Sequence, residues 1–190
     1  MRTLIRPTFV ALMLFTLLTG VLYPFSLTGI AQVLFSEQAN GSLILKNGTI
    51  VGSELIGQYF NDPKYFWSRP SATAPYPYNA SASTGSNLGP NNSLLTENVQ
   101  NSITKLKSAD PASQEPVPID LVTDSASGLD PHISLAAAQY QAPRVARLRG
   151  LSETTVNSLV QQFTEQRLFG FLGEPRVNVL KLNLALDELK

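Results

Sequence analysis

Residues 7–36 carry no charge, and this uncharged run between Arg6 and Glu37 constrains the fold more than any other feature. A helix rises about 1.5 Å per residue, so about 20 apolar residues cross a hydrocarbon core of about 30 Å. The stretch Phe9 to Gly20 (FVALMLFTLLTG), continued by VLYPFSLTGIAQVLF, exceeds that length. It predicts a transmembrane helix over residues 8–35, a short N-terminus over 1–7 and one domain over 36–190. A cleaved signal peptide is the competing reading, but its apolar region is normally about 7–15 residues long. Arg2 and Arg6 precede the span and Lys46 is the first basic residue after it, so the positive-inside bias predicts a cytoplasmic N-terminus and an extracytoplasmic domain. Pro24 removes one helical hydrogen bond and predicts a kink or an early helix end. Small residues such as Thr16, Gly20 and Gly29 would let another membrane helix approach closely.

At 190 residues, the chain has room for this span and one domain with its own core. Formal charge is +0, and setting aside Arg2 and Arg6 leaves 12 basic residues against 14 acidic ones. Such a balance lacks the basic stripe that displaces phosphate counterions, so nucleic acid is not an expected partner. The absence of cysteine excludes disulfides and thiolate chemistry, and His132, the only histidine, excludes a multi-histidine metal site.

The stretch Ser42 to Gly52 (SLILKNGTIVG) places Asn47-Gly48 between two apolar runs, the pairing that a type I′ hairpin turn favours. From Gly57 to Asn92, prolines exclude continuous helix while tyrosines, phenylalanines and Trp67 argue against a solvated linker. Leu95, Val99, Ile103 and Leu106 recur at helical spacing and predict a helix over 93–108. Val117 to Val122 (VPIDLV) reads as a short strand. Ser134 is a predicted cap for a helix over 135–141, which Pro143 restarts and which ends before Gly150. Ser152 is a second predicted cap, with Leu151 and Val156 spaced as a hydrophobic staple and Val156, Leu159, Val160 and Phe163 as the buried stripe. Val177 to Leu189 begins as strand and finishes as helix. The mixture predicts an α+β fold.

No phosphate loop, dinucleotide fingerprint or nucleophile elbow is present, and no catalytic or metal-binding residue is assigned. His132 lies near Asp124 and Asp130 but reads as structural. Ser125 to Asp130 (SASGLD) is either a plain turn or a backbone cradle for an anion. Arg144, Arg147 and Arg149 complement a helix C-terminus or face the acidic patch of a partner.

Many ordered segments resemble the C subunit of the Kdp-type potassium-transporting P-type ATPase. They include Tyr23-Pro24, Ala39 to Ser42, Leu55 to Gln58, Tyr65-Phe66, Arg69 to Thr73, Tyr78-Asn79, Gly85 to Gly89, Ser125 to Asp130, Pro143 to Ala146 and Val177 to Asp187. Together with the anchor they cover essentially the whole chain. Thr84 departs from the pattern, where the family often has glycine.

The resemblance implies a non-catalytic subunit of an ATP-driven potassium uptake complex in the bacterial inner membrane. Its implied partners, besides membrane lipid, are a channel-like A subunit, a B subunit bearing the phosphorylated aspartate and a small F subunit. ATP and potassium would be handled by the complex, with no cofactor on this chain. The family is described as stabilising assembly and as a catalytic chaperone that raises the ATP affinity of the B subunit, with Ser127, Gly128 and Gln141 in nucleotide-related roles. Topology opposes direct nucleotide contact, because ATP is cytoplasmic and the domain is predicted to lie outside. The alternative expectation is docking through the stretch 57–89, with Tyr65, Phe66, Trp67 and Arg69 as contact residues. A membrane-tethered ligand-binding or enzymatic module is the rival class.

Overall fold

A computed structural model describes residues 2–189. The chain divides into two compact units, residues 1–51 and 52–190, and the boundary falls inside a β-strand.

The first unit is mostly helix. Helix α1 (Arg2–Leu17) passes through a π-helical turn (Leu18–Leu22) into α2 (Tyr23–Leu34). The Tyr23 N–H donates to Leu18 O, five residues back, immediately before Pro24. A widened turn at this point accommodates the proline, whose ring would otherwise meet the carbonyl four residues earlier. The expected interruption is therefore local, and the helix resumes. The stretch Thr3–Leu34 contains an 18-residue window of mean hydropathy 1.9 and is long and apolar enough to cross a membrane. A short helix α3 (Ser36–Ala39) precedes the hairpin of β1 (Leu43–Lys46) and β2 (Thr49–Ser53). Asn47 and Gly48 have φ of 53° and 75°, the paired positive values of a type I′ turn.

The second unit is α+β. Helix α4 (Ser93–Ala109) is capped by Asn92, whose side chain accepts from the Leu94 N–H. Strand β3 (His132–Ser134) leads directly into α5 (Leu135–Arg149), and the Ser134 side chain caps it by accepting from the Ala137 N–H. Gly150, at φ 67°, closes α5 in the left-handed conformation that glycine adopts without steric cost. Helix α6 (Glu153–Gln162) starts at the Ser152 cap and buries Val156 and Val160. Strands β4 (Thr164–Glu165) and β5 (Arg176–Asn178) follow, and Asn178 caps α7 (Val179–Leu186). The antiparallel sheet has the order β3-β5-β4, with Ile133 opposite Val177 and Thr164 on the other side of Val177.

Two expectations are corrected. Helix α5 does not restart at Pro143 but runs through it. The stretch 117–122 is not a strand; Ile119–Leu121 form a 3-10 turn, with Ile119 75% exposed while Leu121 and Val122 are buried. That pattern serves a turn that presents one edge to the core, not an alternating strand. The core gathers Ile133, Val145, Val156, Val177, Leu182 and Leu186 from the sheet and from α5, α6 and α7, and Phe66 from the long loop.

Candidate functional site

The stretch from Gly57 to Asn92 has no regular structure beyond a 3-10 turn at Ala80–Ala82, yet it supplies Phe66, fully buried, and Trp67, 7% exposed. Buried backbone groups must find partners, and a loop has no neighbouring strand to provide them. Two carboxamides do so here. The Phe66 N–H donates to Asn183 Oδ1 at 2.9 Å, and Asn183 Nδ2 donates back to Phe66 O at 2.9 Å. The Trp67 N–H donates to Gln141 Oε1 at 2.8 Å, and Gln141 Nε2 donates to Trp67 O at 3.1 Å. Each amide thus supplies one acceptor and one donor, as a neighbouring strand would. Side chains from α5 and α7 therefore hold the two peptide units between them.

Two arginines of α5, Arg144 and Arg149, reinforce the grip, and a third, Arg147, ties α5 to the end of α4. Arg144 Nη2 donates to Gln141 Oε1 at 2.7 Å, its Nη1 donates to Pro63 O, and its guanidinium lies 4.7 Å from the Trp67 ring centre. Burial disfavours the charged form and pushes its pKa down to about 10, so it stays cationic at neutral pH. Arg147 pairs with the buried Asp110 at 2.7 Å. Arg149 pairs with Asp187 at 2.8 Å and donates to Lys64 O and Leu186 O. Tyr65 also donates to Asp187, at 3.0 Å. Of the two readings of this basic edge, the internal one describes Arg144 and Arg149, whose guanidinium groups are engaged within the domain, while Arg147 pairs with Asp110 and stays half exposed.

A second network locks residues 69–85 onto 124–130. Arg69 reaches Asp130 Oδ2 at 3.2 Å and Asp124 O at 3.1 Å. Ser71 Oγ donates to Gly128 O at 2.7 Å and accepts from the Tyr78 N–H at 3.0 Å. Tyr78 donates its hydroxyl to Arg69 O at 2.7 Å, and burial raises its pKa to about 12. Thr73 Oγ1 accepts from the Asn79 N–H, and the Thr84 N–H donates to Ser127 O. Gly128 holds φ 67°, and a Cβ there would lie 2.6 Å from Thr73 Cγ2 and 2.7 Å from Thr84 O. Burial alone would raise the Asp130 pKa. The hydrogen bonds from the His132 side chain and backbone, with Arg69 nearby, outweigh it and hold the carboxyl below its usual range.

Gln141 is 1% exposed and both ends of its amide are committed to Trp67, so it is placed as a structural clasp. Ser127 is exposed and Gly128 buried, in a turn where the Gly128 N–H bonds Ser125 O and the Leu129 N–H bonds Ser127 Oγ. Those two N–H groups close the turn, which favours the plain-turn reading over an anion cradle. Phe66 is fully interior, so its expected place on a docking surface is corrected; Trp67 is mostly buried with one side of its ring lining a cavity, and Tyr65 is half-buried. Arg69 is one-quarter exposed and belongs to the locking network. His132 sits between Asp130 and Glu165, at 3.5 and 3.7 Å, at the edge of the sheet. Among the described residues, no three His, Cys, Asp or Glu side chains are grouped to hold a metal ion. Asn183, Ser71, Thr73 and Tyr78 carry the networks without having stood out for chemistry; their one signal was that each lies in a segment of family resemblance.

Fold and site together define a class: a protein with one N-terminal candidate membrane span and a loop-rich α+β domain, whose buried polar side chains order its longest loop. The family model described as "KdpC: K+-transporting ATPase, c chain" matches residues 5–188. The chain is 62% identical over 185 residues to the "Potassium-transporting ATPase KdpC subunit" of Methylococcus capsulatus, covering 97% of each. It is 60% identical over 190 residues to the Herpetosiphon aurantiacus protein of the same name, covering 100% of this chain and 98% of that one. Against the Variovorax paradoxus protein of that name identity is 62% over 187 residues, covering 98% and 97%. The chain belongs to the KdpC family, the c-chain subunits of K+-transporting ATPases.

Proposed function

We propose that this chain is a non-catalytic accessory subunit that assembles with the A, B and F subunits of the potassium-transporting ATPase and raises the ATP affinity of the B subunit. The helix spanning residues 3–34 anchors it in the bacterial inner membrane with a cytoplasmic N-terminus and an extracytoplasmic domain, and ATP and potassium are handled by the other chains. One observation carries this reading: Gln141, to which the family resemblance gives a nucleotide-related role, is spent on the Trp67 backbone and sealed in the core. An effect on ATP affinity then acts at a distance, through a conformational equilibrium that both sites bias. The test is the ATPase activity of the purified complex, titrated with ATP, with and without this chain. The expected result is a higher KM for ATP in its absence, by about 5- to 150-fold for a coupling of ordinary size. An unchanged KM in an otherwise assembled complex would refute the chaperone role, and a reporter fused after Lys190 that is active only in the cytoplasm would refute the topology.

A further inference from the structure

One cavity of the second unit lies between the two networks, with Trp67 of the first and Arg69, Ser71 and Tyr78 of the second in its walls and Lys105 of α4 outside both. Its volume is about 220 Å³, and its walls include Tyr59, Trp67, Tyr78, Arg69 and, from α4, Ser102 and Lys105. No aspartate or glutamate lines it. Arg69 is matched by Asp130, but Lys105 has no carboxylate within 4.0 Å among the described residues. The Lys105 ammonium is held instead by the Tyr59 hydroxyl at 3.1 Å and lies 5.0 and 4.8 Å from the Tyr59 and Trp67 ring centres. Aromatic faces and one phenol poise the exposed cation at the cavity mouth, where solvent faces it and, among the described residues, no carboxylate does.

We propose that this cavity receives a single aspartate or glutamate side chain from a loop of another subunit of the transporter complex, with Lys105 as its ion-pair partner. Two observations select this occupant. The surplus charge is one positive unit, which one carboxylate neutralises. The volume lies below the range of about 300–1,000 Å³ typical of small-molecule sites and far below what a nucleotide needs, but it suits the anchor side chain of a protein interface. The acid's methylene groups would pack on Tyr59 and Trp67 while its carboxylate meets Lys105 at the solvent-exposed mouth of the cavity. The inference rests on membership of the complex but not on the chaperone role or the topology.

The test uses the full chain co-expressed with its transporter partners. A photo-crosslinking amino acid replaces Ser102, and Lys105→Glu, Lys105→Arg and Ser102→Trp are purified through a tag on another subunit. The Ser102 probe is expected to link to another subunit within two residues of an aspartate or glutamate. Lys105→Glu is expected to lower recovery of this chain about tenfold or more, whereas Lys105→Arg keeps it near wild type. Ser102→Trp fills the cavity without changing charge and is expected to lower recovery too; it decides the matter if Lys105→Glu does not fold by thermal melting. Crosslinks only to lipid, to this chain or to a segment lacking an acid would overturn the proposal, as would wild-type recovery of folded Lys105→Glu or Ser102→Trp. Failure of the wild-type chain to co-purify is a different result, because it removes the subunit reading itself.

Discussion

Replacing Gln141 by alanine separates a clasp from a nucleotide ligand. In the wild-type chain this side chain satisfies the Trp67 N–H and C=O and accepts from Arg144, all within 3.1 Å. Alanine leaves two buried backbone groups without these partners. Each orphaned group costs about 1–3 kcal/mol, so the loss should come to about 2–6 kcal/mol. Domains are held by only about 5–15 kcal/mol in total, and about 2–4 °C of melting temperature follows each kcal/mol at this size. Gln141→Ala should therefore lower the melting temperature on the order of 10 °C.

The assay is thermal unfolding of the full chain in detergent, followed by the near-ultraviolet circular dichroism of Trp67, the only tryptophan. Gln141→Glu provides an internal comparison. A carboxylate still accepts from the Trp67 N–H and attracts Arg144, but it sets an oxygen against Trp67 O, so an intermediate loss is expected. If Gln141→Ala melts within about 2 °C of wild type while the complex loses ATP affinity, the structural assignment of this residue is wrong.

Gly128→Ala should destabilise the domain by about 2 kcal/mol or more, since it combines a left-handed φ with close contacts to Thr73 and Thr84. Limited proteolysis should then cut within residues 71–85 faster than in wild type, and an unchanged cleavage rate would contradict the locking network. Acidification gives a test of a different kind. Asp130 has a folded pKa below its unfolded value of about 3.9, so its contribution is fully present above about pH 4 and fades as pH falls through the folded value. Urea midpoints between pH 6 and pH 3 should fall more steeply for wild type than for Asp130→Asn; parallel slopes would show that the carboxylate adds nothing to acid stability.

Features governed by near neighbours were legible in the sequence. The Asn47-Gly48 turn, the Ser134 and Ser152 caps and α4 each depend on residues within a turn or two, and all are present. Val117 to Val122 misled because Pro118 ends in extended backbone, but the next three residues turn back and bury Leu121 beside Val122. Pro143 misled because its missing N–H is tolerated inside a helix whose buried residues Ala142, Arg144, Val145 and Ala146 are fixed by the core. The contacts of the candidate site were not legible for a reason of distance. Phe66 and Trp67 sit in a proline-rich stretch whose aromatics predict order against the domain or a partner without saying which, and the residues that bury their backbone lie 117 and 74 positions away. No local periodicity reports a side-chain amide that stands in for a missing strand.

That substitution of side chain for strand bears on how such a domain can serve in a complex. A segment as long as residues 57–92 would ordinarily lose conformational freedom on meeting a partner, which subtracts from the affinity of any interface it makes. Here the ordering is already complete: Asn183 and Gln141 fix its middle, and Ser71, Thr73 and Tyr78 fix the part that follows. The interior position of Phe66 and Trp67 therefore does not remove this loop from docking. The surface that the ordered loop presents includes Tyr59 and Tyr76, which remain more than half exposed. A triple replacement of Tyr65, Phe66 and Trp67 would release the subunit by unfolding it, so only surface changes such as those at Lys105 and Ser102 report on the interface itself.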